Sequence, residues 1–112
     1  MCPVAPDATL WLTSLRSTLH NLLRLADVDA RELGAQRALT APALATRVSD
    51  IVAALGRIDS AAPARVSYAP EPKLEAQFGS WPLDCSFDRA QALGLRGEVS
   101  IAALLETWVA SA

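Results

Sequence analysis

Leucine recurs at helical spacing in the first third of the chain. Leu12, Leu15, Leu19, Leu22, Leu23 and Ala26 lie three or four residues apart, and this period predicts a helix over residues 9–27 with one apolar stripe. Arg16, His20 and Arg24, spaced by four, make a basic edge beside that stripe. Residues 1–8, with Pro3 and Pro6, read as an extended lead. Residues 36–41 read as a short strand that Pro42 interrupts, because proline has no N–H for a ladder. Val48, Ile51, Val52 and Leu55 predict a second helix over 47–58, with Thr46 as its N-cap. Residues 65–69 read as a second strand, closed by Pro70 and Pro72. Residues 73–81 fit a short helical turn followed by a loop. A third helix is predicted from Ser86 to Leu93, stopped by a left-handed Gly94. A fourth starts after Ser100 with Ile101, Leu104, Leu105 and Trp108 on one side.

The expected fold class is therefore mainly α with two short strands, forming one unit over residues 1–112. Two isolated strands are marginal as a sheet. They make more sense as additions to a sheet whose other strands lie elsewhere. Composition strengthens that expectation: 52% of the residues are hydrophobic in a chain of only 112. A chain of this size buries only about 60–65% of the surface its unfolded form exposes. So much apolar content predicts open apolar patches and self-association into a homo-oligomer.

Charge changes the picture less. Ten Lys+Arg against 12 Asp+Glu give −2, with neither sign in a block, so no nucleic-acid partner is expected. No apolar run approaches the roughly 20 residues of a membrane span, and residues 1–7 lack a signal-peptide pattern. A cytoplasmic protein with no membrane partner is expected. Cys2 and Cys85, far apart and without metal-ligand spacing, are expected as reduced thiols.

Candidate chemistry is sparse. A dinucleotide site needs closely spaced glycines between a strand and a helix. Here only Gly94 and Gly97 are close, and they follow a helix, so no cofactor is expected on this chain. His20 is the one histidine and sits in mid-helix between two arginines, which suits a solvated face. Tyr68 and Lys73 are five apart with two prolines between them, so they do not share a helix face. The carboxylates are scattered, and no catalytic residue is assigned.

Three stretches carry a resemblance when taken in order: residues 3–16 ending Thr13-Ser14-Leu15-Arg16, residues 37–55 from Arg37-Ala38-Leu39-Thr40 to Ala53-Ala54-Leu55, and Trp81-Pro82 followed by Arg89-Ala90, Leu93-Gly94 and a last amphipathic helix. Together they resemble the extended short-chain dehydrogenases of the NAD-dependent epimerase/dehydratase family, in its D-erythronate dehydrogenase-like branch. The resemblance implies the C-terminal, substrate-binding part only, without the nucleotide-binding sheet. It implies NAD for the full-length family, held by an N-terminal Rossmann half that carries the catalytic residues, so this chain would not catalyse alone. It implies a small-molecule substrate, a sugar or hydroxy acid. Arg16 matches the arginine of a Ser-Pro-Arg stretch, with Leu15 in place of the proline, and together with Ser14 and Trp81 is a candidate substrate contact. Asp84 stands where relatives often carry arginine, which counts against anion binding by that loop. The competing reading is a small helical interaction or dimerisation module with no enzymatic role, which predicts a closed four-helix core.

Overall fold

The computed structural model describes residues 1–111. In chain order its elements are β1 (Thr9–Leu12), α1 (Leu15–Asp27), α2 (Ala30–Leu33), β2 (Leu44–Arg47), α3 (Val48–Ile58), a 3-10 turn (Pro63–Arg65), α4 (Pro72–Gly79), α5 (Asp88–Ala92) and α6 (Ile101–Ser111). The mainly helical class with two short strands holds, but the strands are not the expected ones.

The first expected helix begins late. Thr9 to Leu12 is a strand, paired antiparallel with β2 in the register Thr9↔Arg47, Leu10↔Thr46, Trp11↔Ala45 and Leu12↔Leu44. Threonine and tryptophan suit a pleated, half-buried surface. Ser14 then starts the helix: its backbone is still extended, as at most N-caps, and its hydroxyl accepts from the Ser17 N–H to cap α1.

Residues 36–41 form no strand. The backbone carbonyls of Leu33, Gln36 and Ala38 are taken by the Arg89 guanidinium, at 2.6, 2.6 and 3.3 Å, in place of a ladder. The strand falls after Pro42, at Leu44–Arg47. Thr46 is accordingly a buried strand residue and not a cap. The cap position of α3 is Arg47, which makes no side-chain capping bond. The free N–H groups of Val48 and Ser49 donate instead to the carbonyls of Ala8 and Pro6, at 3.0 and 2.8 Å. The expected strand 65–69 shrinks to one parallel bridge, Tyr68 with Cys2, flanked by bonds from Cys2 N to Ser67 O and from Glu71 N to Pro3 O. The partner of that segment is the N-terminal lead. Residues 72–79 are a full helix, α4, with Pro72 in its first turn, where the missing N–H costs nothing. Gly94 has φ +89°, the left-handed stop that was expected.

The core is thin. Ala90, Leu93 and Leu95 form one buried cluster, with Leu25, Val28, Leu33 and Leu39 packed on it. Val48 and Ala54 on α3 and Leu105 on α6 are buried elsewhere, where those helices pack together, and Val4 is buried in the N-terminal lead. Among the described residues no large side chain is fully enclosed. The radius of gyration is 16.4 Å, with extents of 51 × 33 × 18 Å. A compact chain of this length would be near 13 Å. The shape is a slab and not the closed four-helix core of the interaction-module reading.

Candidate functional site

The helical period of α1 left open which of its faces turns inward, and the structure decides it. Ser14, Ser17 and Asn21 are buried, while Leu15, Leu19, Leu22 and Leu23 are 51–75% exposed. The inward stripe is polar, at the spacing 14, 17, 21, 24, and it is bound to a strap formed by residues 93–98. Asn21 pairs with the backbone of Arg96 in both directions: its Nδ2 donates to the carbonyl and its Oδ1 accepts from the N–H, each at 2.8 Å. The Arg24 Nε donates to Leu93 O at 3.0 Å. His20 Nε2 lies 3.3 Å from Gly94 O, so the histidine touches the strap and faces no catalytic partner.

Glu98 ends the strap at the N-terminus of α1. Its carboxylate accepts from the Ser14 N–H at 3.1 Å, from the Ser17 hydroxyl at 2.7 Å and from the Ser14 hydroxyl, with Thr13 Oγ1 at 3.5 Å. Partial burial pushes its pKa up, but the donors of Ser14 and Ser17 outweigh this and hold the carboxyl below its usual range. The first turn of α1 has no acidic residue of its own. Glu98 supplies the negative charge that a helix N-terminus favours.

Between the start of α1 and α6 lies a cavity of about 480 Å³, within the range of small-molecule sites. Thr13, Ser14, Arg16, Leu19, Leu104 and Trp108 are among its lining residues. It therefore brings together two of the three expected substrate contacts. Arg16 is exposed, and its guanidinium makes no hydrogen bond or ion pair among the described residues. Ser14 is committed internally, to Glu98 and to the Ser17 N–H. Trp81 is not among the residues lining this cavity. It packs edge-to-face on Phe78, with ring centroids 4.6 Å apart. The adjoining Pro82 carbonyl accepts from Trp11 Nε1 at 2.8 Å, which ties the 81–87 loop to β1.

The residues present do not fit a dinucleotide. The space a pyrophosphate would need beside Gly94 and Gly97 is filled by the chain itself. A Cβ at Gly94 would stand 2.7 Å from Arg24 Nε, and one at Gly97 would stand 2.9 Å from Pro42 O. Among the described residues no group of three or more His, Cys, Asp or Glu side chains could hold a metal, and no helix is long and apolar enough to cross a membrane. Cys2 and Cys85 are free.

Sequence reasoning missed Glu98, Ser17 and Asn21. Glu98 was one carboxylate among many, and nothing local marks it. The polar repeat 14, 17, 21, 24 was a visible signal, as regular as the leucines beside it.

A mainly helical fold with a two-stranded sheet is shared with dehydrogenases and epimerases of the short-chain dehydrogenase/epimerase kind, and the chain matches a C-terminal portion of such proteins. In sequence it is 31% identical over 112 residues to D-erythronate dehydrogenase of Cupriavidus necator, covering 99% of this chain and 35% of that protein. In structure it is similar to a nucleoside-diphosphate-sugar epimerase from Agrobacterium tumefaciens, with TM-score 0.87 and 25% identity over 96% of this chain and 32% of that one. L-threonine 3-dehydrogenase from Trypanosoma brucei shares the fold, with TM-score 0.84 and 19% identity over 98% of this chain and 34% of that one. The chain thus spans about a third of the length of these relatives. No protein-family model matches it.

Proposed function

We propose that this chain is the substrate-binding part of an NAD-dependent dehydrogenase or epimerase acting on a sugar or hydroxy acid, and that it does not catalyse by itself. The observation that carries this reading is the Arg16 guanidinium, without an internal partner, at an apolar cavity that is open on one side. A guanidinium is suited to forked recognition of a carboxylate. The adjoining outer face of α1, Leu15, Leu19, Leu22 and Leu23, is the surface against which a nucleotide-holding half docks and completes the pocket wall. Burying four leucines that are half to three-quarters exposed contributes about 4–8 kcal/mol to such docking. The name of the Cupriavidus relative suggests a four-carbon sugar acid as the ligand class. NAD belongs to the docked half, since this chain offers it no cradle.

The test is a titration of the full chain with D-erythronate, followed by NMR at the Arg16 Nε–H. Saturable binding that moves this signal and is lost in Arg16→Ala is expected. No response in the wild type, or equal binding by Arg16→Ala, overturns the assignment.

A further inference from the structure

We infer that Glu98 is a positioning residue for the Arg16 site; the inference rests on the substrate-binding reading above. Glu98 is not among the residues lining the cavity and does not act on a ligand directly. Its carboxylate gathers donors from Thr13, Ser14 and Ser17, which bracket Arg16 on both sides. These bonds fix the backbone of the turn from which the Arg16 side chain projects. Successive helix residues are separated by about 100° around the axis. A small slip of the first turn therefore re-aims the guanidinium away from the cavity.

Glu98 is itself held from two sides. Arg96 is pinned to Asn21, and Gly97 passes so close to Pro42 O that a Cβ there would sit at 2.9 Å. The strap cannot easily follow α1 if the helix start moves. Glu98, more than 80 residues from Ser14 and Ser17 in sequence, thus couples the orientation of Arg16 to the 93–98 segment.

The glutamine variant separates positioning from bulk stability. Glu98→Gln keeps size, but its NH₂ group replaces one of two oxygens that both accept bonds, so one donor is left facing a donor. Expected in the D-erythronate titration of the full chain is affinity weakened by about fivefold or more, the scale on which a misaimed arginine acts. Gly34→Ala is the control: Gly34 has φ +66° and open space around it, so alanine strains the fold without touching α1. Its affinity is expected to match the wild type. Ser17→Ala, a milder change, is expected to weaken binding about twofold, and it serves if Glu98→Gln does not fold. Wild-type binding that Glu98→Gln leaves unchanged, or an equal loss in Gly34→Ala, overturns the role of Glu98 alone. Absence of any wild-type binding overturns the substrate-site reading and this inference with it.

Discussion

Replacing Asn21 with alanine tests which side of α1 faces inward, and the two possible orientations predict opposite signs. Asn21 is 4% exposed, and its amide closes two 2.8 Å bonds with the backbone of Arg96. Truncation leaves one N–H and one C=O of the strap without partners. Each buried orphan costs about 1–3 kcal/mol. The Arg96 side chain is exposed, so water reaches part of this site and the low end applies, about 2 kcal/mol for the pair. Alanine returns up to about 0.6 kcal/mol of helix propensity. The net loss is about 1.5 kcal/mol, a fall of roughly 6–10 °C in Tm for a chain of this size. If the leucine stripe were the inner face, Asn21 would stand in solvent and Asn21→Ala would be slightly stabilising. Urea unfolding followed by far-UV circular dichroism reads the difference, with Leu22→Gln as the outward-facing comparison. An Asn21→Ala midpoint at or above the wild-type value refutes the orientation of α1 described here.

Two further outcomes follow from the same geometry. The exposed leucine face should make the isolated chain self-associate at micromolar concentration, and a double Leu19→Glu, Leu23→Glu variant should sediment as a folded monomer; a wild-type monomer would refute this. Glu98 titrates below its usual range when folded, so its contribution to stability is present above the unfolded value near 4.3 and is lost as the pH falls through the lower folded value. The gap in urea midpoint between wild type and Glu98→Gln should therefore narrow in acid; a gap that widens there would show the opposite sign.

The sequence made several local features legible. Gly94 as a helix stop, the helix after Ser100 and the α3 span were readable because turn geometry and a 3.6-residue period act over a few residues. The family was readable because it rests on the order of short motifs along the chain. Arg16 and Ser14, singled out from the resemblance, line one cavity, while Trp81 does not. The strands were misplaced, because strand formation at Thr9–Leu12 and Leu44–Arg47 depends on the two segments meeting, and neither segment alone carries that information. Thr46 looked like a cap for the same reason: the real partners of the first N–H groups of α3 are the carbonyls of Pro6 and Ala8, some 40 residues earlier.

By itself, then, the chain determined that a helix with an apolar stripe would run to Asp27, although its period placed the start at residue 9 and not at Leu15. Which face turned inward was decided only by tertiary structure. Leucines at 15, 19, 22 and 23 and polar groups at 14, 17, 21 and 24 have the same helical period, and a period carries no direction. The 93–98 strap offers carbonyls, an N–H and a carboxylate that must be satisfied, and the polar face meets them. The leucines are left turned outward, exposed on the far side of the helix.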